Sequence, residues 1–407
     1  MTSFQTIIPF EAQQLANAHI IQSDAEALEV AEVLATQFKT HAIERDTERL
    51  LPFEEIEAYS QSGLWAITVP KEYGGADVSS LTVAKIIALF SGVDGSIGQI
   101  PQNHFYALEI LRNNGTEAQK KNIYAEVLKG ARFGNALAEF KTKSAALRQT
   151  SIRPHKNDFI VNGEKFYCTG SLFAHRIPTL VKDENDHEYL AFIPRQTQGV
   201  TIIDDWTGFG QKTTGSGTVK FDNVIVSADD VVPFDISFTV PTLVGPFAQI
   251  MHAAIEVGIA RAAFEETLVR VRQARPWIDS GVEQAIDDPL TIYEIGRIAA
   301  DVRASEVLLK QAAKSIDAAK PNPTNENIAK ASLDVAKVRA HSTEIALKAS
   351  SKLIELAGSR GSQRTEGLDR FWRNARVHTL HDSSRWKYYF IANYILNGVL
   401  PPRRGTL

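Results

Sequence analysis

Hydrophobic periodicity changes twice along this chain, so a β layer must sit between two helical blocks. Apolar residues recur at helical spacing from Ser23 to about Lys129, lose it between Ala131 and Val232, and regain it from Pro241 onward. In the first block Val30, Val33, Leu34 and Phe38 share a helical face, and Ser23 or Asp24 can cap that helix. The Pro/Gly cluster Val69–Gly75 breaks the pattern before helices resume over Leu81–Phe90 and Thr116–Leu128.

In the middle block Phe159-Ile160-Val161 and Phe166-Tyr167-Cys168 flank Asn162-Gly163. Both turn residues tolerate positive φ, so the spacing predicts a hairpin. Val219, Phe221, Val224 and Val226 sit around a second turn-prone pair, Asp222-Asn223, and glycines at 199, 208, 210, 215 and 217 punctuate the stretch. In the last block Phe247, Ile250, Met251, Ala254, Ile255 and Ile259 form a helical stripe, and segments 291–318, 324–357 and 366–397 have the same character. Four long helices with short breaks predict a bundle. The expected domains are a helical one over 1–130, a β domain over 131–237 and a bundle over 238–407, in keeping with about 150 residues per domain.

Composition narrows the function classes. Apolar residues make up 44% and charged residues 23%, as in a soluble globular chain. Acidic residues outnumber basic ones by 48 to 44 with no basic stripe, so nucleic acid is not an expected partner. No uncharged apolar run reaches the roughly 18 residues of a membrane span, and residues 1–14 lack the pattern of a signal peptide. Cys168 stands alone, which excludes an intrachain disulfide and fits a reducing cytoplasm.

The familiar local motifs are missing: no GxGxxG after a strand, no GxxxxGK[ST], no GxSxG, no HExxH. The densest cluster of functional side chains is Arg373–Asp382, in which His378 and His381 share a helical face if the helix continues. Three readings stand there. The two imidazoles and Asp382 could be metal ligands, or a helix-end cluster bonded to backbone, or one histidine could move a proton beside a cofactor. His104, in the polar run Gln102–His104, reads on its own as a structural histidine. Thr169-Gly170-Ser171 could admit a flat ligand to the backbone or form an ordinary turn.

The runs Val69–Gly75, Asn162–Lys165 leading into Thr169, Val219–Val224, Leu356–Gly361 and Arg373–Asp382, taken in order, resemble the acyl-CoA dehydrogenase fold. The resemblance covers nearly the whole chain. It implies an N-terminal helical domain, a middle β-barrel and a C-terminal four-helix bundle, assembled as a homotetramer. Three departures stand out. Dehydrogenases commonly place a proton-abstracting glutamate where this chain has His381-Asp382-Ser383-Ser384, and Asp382 is one methylene shorter. Ala138 replaces a threonine that they hold near the flavin. Arg360, in Gly358-Ser359-Arg360-Gly361, stands where they keep a double glycine for the adenosine half of FAD. An arginine fork suits a terminal phosphate, which favours FMN.

With those departures the chain resembles the flavin-dependent monooxygenases of the dibenzothiophene monooxygenase and SfnB sulfur-acquisition type. Ser96–Phe105, Ala131–Ala136, Phe166–Ser171, Asp204–Gln211 and Phe371–Arg376 carry that likeness. It implies a two-component enzyme in which a separate NAD(P)H-dependent flavin reductase supplies reduced FMN. Molecular oxygen then forms a flavin C4a-hydroperoxide, which an organosulfur substrate attacks. By position, Asn135 and Ser171 would contact the flavin or its peroxide and Thr169 the isoalloxazine edge. His381 would supply the proton, His104 would line the substrate side, and Arg275 and Arg360 would hold phosphate, from a neighbouring subunit if not their own. Arg275 precedes Pro276 and could instead only neutralise a helix end. Trp206, Phe209 and Trp372 read as core. Two rivals remain: an FAD-dependent acyl-CoA dehydrogenase with Asp382 as base, and a non-catalytic flavin-binding relative.

Overall fold

The computed structural model describes residues 17–140 and 148–407, so the stretch read above for a signal peptide lies outside the described residues. Six helices open the fold: α1 (Asp24–Lys39), α2 (Ala42–Glu48), α3 (Phe53–Gln61), α4 (Ser80–Val93), α5 (Gly95–Asn114) and α6 (Glu117–Val127). Ser23 caps α1 by accepting from the Glu26 N–H, and Thr116 with Gln119 makes a capping box on α6. The Val69–Gly75 break is a single 3-10 turn over Lys71–Tyr73.

Seven strands follow: β1 (Ser151–His155), β2 (Asp158–Lys165), β3 (Arg176–Lys182), β4 (Glu188–Pro194), β5 (Val200–Ile203), β6 (Thr218–Val226) and β7 (Val231–Pro233). They form one sheet in the order β5-β6-β2-β1-β3-β4-β7. Among the described residues the edge strands β5 and β7 do not pair, so the middle barrel is an open one. The hairpin expected at Asn162-Gly163 is not there. β2 runs through both residues, and the β1–β2 turn falls at Lys156-Asn157, where Lys156 takes φ 57°. Asn162 and Gly163 instead form a bulge against β6, facing Asp222-Asn223, the second expected turn. The Asn162 Oδ1 accepts from the Asn223 N–H at 2.8 Å, so a side-chain amide satisfies backbone that the irregular pairing leaves open.

The chain ends in α7 (Ile236–Thr239), α8 (Val244–Val271), α9 (Pro289–Ala319), α10 (Asn325–Leu356), α11 (Asp369–His378) and α12 (Ser384–Asn397). The first three long helices match expectation. The fourth, expected over 366–397, is two helices, because a turn pulls Asp382 inward onto Lys387 of α12 and Gln249 of α8. From Val244 to Ala260 every residue of α8 is buried, with α4, α5 and α10 packed around it. Ile86 and Phe90 of α4 therefore share one core with Ile255 and Ile259 of α8. Phe209 and Trp372 are not core: they are exposed and stack at 6.1 Å. Gly210 presses directly on the α11 backbone, which leaves its aromatic neighbours at the rim. Trp206 is half-buried, its indole N–H donating to the Gln211 carbonyl at 2.9 Å. No described helix is long and apolar enough to cross a membrane.

Candidate functional site

Two polar clusters occupy the junctions of this fold. The first lies at the edge of the sheet. Phe133 and Ala136 bridge in parallel to Arg176 and Thr179 of β3, and the turn after β2 lays Tyr167–Ser171 against them. That approach requires glycine at 134, since a Cβ there would meet the Ser171 Cα at 2.6 Å. The Ser171 hydroxyl donates to the Asn135 carbonyl at 2.9 Å and accepts from the Asn135 N–H at 3.2 Å. Its proton is thus already committed, and its geometry clasps Asn135. The Asn135 amide Nδ2–H donates to the Tyr167 carbonyl at 3.1 Å, while its Oδ1 is buried with no partner among the described residues. A buried acceptor left open in this way can take a donor from water or from a ligand. Thr169, Ser216 and Thr214 form a buried hydroxyl chain with links of 2.7 Å. Tyr167 sits at φ 60°, a strained conformation for a bulky residue.

His104 lies beneath this cluster and is fully buried. Its Nε2–H donates to the Trp65 carbonyl at 2.8 Å and its Nδ1 accepts from the Phe133 N–H at 3.1 Å. Burial pushes its pKa down to about 3. It therefore lines no open space and has no free nitrogen. The substrate-side role implied by the resemblance gives way to a structural one, pinning α5 to the Phe133–Ala136 segment.

The second cluster lies where α8, α10, α11 and α12 meet. Glu256 receives Arg339 at 2.5 Å, Ser342 at 2.7 Å, Thr343 at 3.0 Å and His378 at 3.0 Å. Burial alone would raise its carboxyl, but Arg339 and His378 outweigh it and hold the carboxylate. The other nitrogen of His378 lies 3.1 Å from His252 Nδ1. Burial holds both imidazoles neutral, below their ordinary range.

His381 does not share the helical face of His378, because α11 stops at His378. It sits in the turn beyond, 43% exposed, with Nδ1 3.2 Å from Asp382 Oδ2 and its ring against His252. Nor do His378, His381 and Asp382 converge as metal ligands, since the nitrogens of His378 face Glu256 and His252. Asp382 is the anchor of the turn. Its carboxylate takes Lys387 at 2.5 Å and Gln249 at 3.1 Å, with Arg339 at 3.8 Å. Burial would raise its pKa, but His381 and Arg339 hold it well below the carboxylate range.

Among the described residues no hydrogen bond joins the two clusters. They are linked through α11, where Asn374 Oδ1 accepts from the Gln211 N–H at 2.6 Å, in the loop that continues to Thr214 and Ser216. The arginines stand elsewhere. Arg360 is 71% exposed and donates to Glu366 at 2.7 Å. Glu366 also pairs with Arg270 in the last turn of α8, tying the Arg360 turn to the helix end from which exposed Arg275 follows.

Comparison with known proteins resolves which branch of the fold this is. Residues 24–131 match the acyl-CoA dehydrogenase N-terminal domain and residues 250–386 its C-terminal domain. The dibenzothiophene monooxygenase of Rhodococcus qingshengii is 30% identical, with 93% of this chain and 95% of that protein covered. This chain belongs to the dibenzothiophene monooxygenase-like family. Other relatives of this family member include the FMN-bound dibenzothiophene monooxygenase TdsC of Paenibacillus sp. A11-2. That structure is 29% identical and covers 94% of this chain and 100% of its own, with a TM-score of 0.88. The probable FMNH2-dependent monooxygenase SfnC of Pseudomonas putida is 27% identical over 95% of this chain and 98% of its own.

Several members of the second cluster escaped the sequence reading: His252, Glu256, Gln249, Arg339 and Lys387. One signal was available. His252 and Glu256 are four apart in the stretch 244–260, where Gln249 is the one other polar side chain, and ionisable residues on a buried stripe survive only when paired.

Proposed function

We propose that this chain is a reduced-FMN-dependent two-component monooxygenase that oxidises an organosulfur compound. The observation that carries the choice over dehydrogenation is the state of Asp382. A carboxylate bonded to a lysine, a glutamine and a histidine, and held below its usual range, is a poor proton-abstracting base. The same bonds orient His381 with Nδ1–H toward Asp382 and its outer nitrogen, Nε2, turned away as a hydrogen-bond acceptor.

The sheet-edge cluster fits a flavin ring. The orphan Oδ1 of Asn135 would accept from a ring N–H, Ser171 would fix Asn135 for that purpose, and the Thr169 hydroxyl chain would meet the ring edge. Arg360, with Arg275, would hold the terminal phosphate across a subunit contact of a homotetramer. Reduced FMN, when bound, supplies the electrons that activate oxygen for transfer to sulfur. His381, with Nδ1–H toward Asp382, would present Nε2 as an acceptor that holds the proton of the oxidant in place at the site of transfer. The relatives' names support FMN and organosulfur substrates.

The test supplies FMN, a nicotinamide-driven flavin reductase and a panel of thioethers, sulfoxides and sulfinates. Oxygen uptake accompanied by a product heavier by one oxygen, or cleaved at sulfur, is the expected outcome. Dye reduction with an acyl-CoA and no oxygen-dependent product would restore the dehydrogenase reading. Neither activity above the rate of free flavin would favour the silent relative.

A further inference from the structure

The structure assigns to His252 a positioning role: its ring is the platform that sets the plane of His381. The two rings face each other at a centroid separation of 4.0 Å and an interplanar angle of 36°. On its far side His252 Nδ1 lies 3.1 Å from His378 Nε2, and His378 Nδ1 lies 3.0 Å from Glu256 Oε1. A carboxylate only accepts, so His378 carries its proton on Nδ1 and leaves Nε2 as acceptor, and His252 must then donate from Nδ1. Each of the two rings is fixed by the group before it, His378 by the Glu256 carboxylate and His252 by His378.

The series ends on the face of His381. No hydrogen bond crosses between His252 and His381, so orientation passes by contact and no proton passes with it. On its edge His381 is held by Asp382 at 3.2 Å. A face contact and an edge contact together determine both the plane and the rotation of a ring. The charged and titratable groups around His252 come from every neighbouring element: Glu256 on its own helix, Arg339 on α10, His378 on α11, and His381 with Asp382 in the turn. Burial, with Arg339 nearby, keeps His252 uncharged, which makes it a neutral surface for the His381 ring. The consequence for turnover rests on the monooxygenase reading, but the geometry can be tested without flavin.

Three variants of the full chain separate ring from hydrogen bond. His252→Phe keeps the flat face and drops the bond to His378, His252→Gln keeps a donor and drops the face, and His252→Ala drops both. Nitrogen-15 spectra of the histidine-labelled, flavin-free protein should show His381 as one tautomer, protonated on Nδ1, in the wild type and in His252→Phe. In His252→Gln and His252→Ala the two tautomers should average. With reductase and FMN supplied, product formation should stay within about threefold of wild type for Phe and fall about tenfold to a hundredfold for Gln and Ala, the scale of a misplaced catalytic group. If His252→Ala does not fold, the contrast between Phe and Gln still decides. A single His381 tautomer in the Gln variant, or averaging in the Phe variant, overturns the platform. Unchanged product yield in His381→Ala would overturn the role of His381 in turnover, and no oxygenated product from the wild type would overturn the monooxygenase reading, each leaving the spectra to judge His252 alone.

Discussion

A histidine with both nitrogens bonded to backbone cannot move a proton without breaking one of those bonds. That is the situation of His104, and it has a pH signature. Its pKa is lowered to about 3 in the fold, so between there and its ordinary value of about 6.5 the unfolded chain binds more protons. The stability this residue contributes is complete above pH 6.5 and is lost as pH falls, at about 1.4 kcal/mol per pH unit. His104→Leu should therefore be less stable than wild type at pH 7 by about 1–3 kcal/mol, from two unpaired backbone groups, yet lose less on acidification to pH 5. Denaturant unfolding at the two pH values measures both, and an equal slope in the two proteins would contradict the assignment. Ser171 makes a related case. Its proton is spent on Asn135, so Ser171→Ala and Asn135→Ala should each weaken FMN binding about tenfold, the worth of roughly one hydrogen bond. The double variant should be little worse than either alone, because they act as one unit. Additive losses by calorimetry would show that Ser171 meets the ligand itself.

At the scale of elements, backbone glycines separate the site from the scaffold. Gly134→Ala would push a Cβ to 2.6 Å from the Ser171 Cα, and Gly163→Ala would push one to 2.7 Å from the Thr150 Cα at φ 153°. Both should cost stability, about 1–3 kcal/mol for overpacking. Only Gly134→Ala should also reduce FMN affinity, since only the Phe133–Ala136 segment carries the clasp. Thermal unfolding paired with FMN titration distinguishes them, and equal affinity losses would contradict the placement of the site. The same two positions show what sequence could and could not disclose. The Asn162-Gly163 and Asp222-Asn223 pairs are honest local signals of positive φ, as Gly163 and Asn223 confirm. What no local pattern reveals is that they face each other across a ladder and so bend one bulge instead of two turns. Likewise the cap at Ser23 and the break at Val69–Gly75 were legible because each is decided within a few residues. The stop of α11 at His378 was not, because Asp382 is held by Gln249, 133 positions away.

For the whole molecule, the order of helical, β and helical blocks is written in periodicity, whereas the bundle cluster depends on contacts such as His378 with Glu256, 122 positions apart. Each end stands out in its own segment, but nothing in either segment says that the two meet. The single chain also leaves large apolar side chains in water: Ile278 is 94% exposed, Leu396 79% and Leu290 74%. Exposure on this scale predicts association, and a homotetramer is the expected result of light scattering at micromolar concentration. A monomer would contradict it and would also remove the subunit contact through which Arg275 and Arg360 are proposed to hold phosphate. Reduced FMN should bind more tightly than reduced FAD, and Arg360→Ala should weaken FMN by about tenfold to a hundredfold, as expected for a charge-assisted bond. Equal affinity for the two flavins would remove Arg360 from the site.

The proton held by His381 is the centre of the proposed chemistry, and one variant addresses it directly. His381→Ala leaves Asn135, Ser171 and both phosphate candidates untouched, so it should bind reduced FMN like the wild type. Without the positioned imidazole to hold the oxidant's proton in place, activated oxygen should be lost as hydrogen peroxide before it reaches sulfur. Measuring hydrogen peroxide and oxygenated product per reduced flavin consumed should therefore show peroxide rising and product falling about a hundredfold to ten-thousandfold, the usual contribution of one positioned acid–base group. Wild-type product yield with no excess peroxide would contradict the assignment.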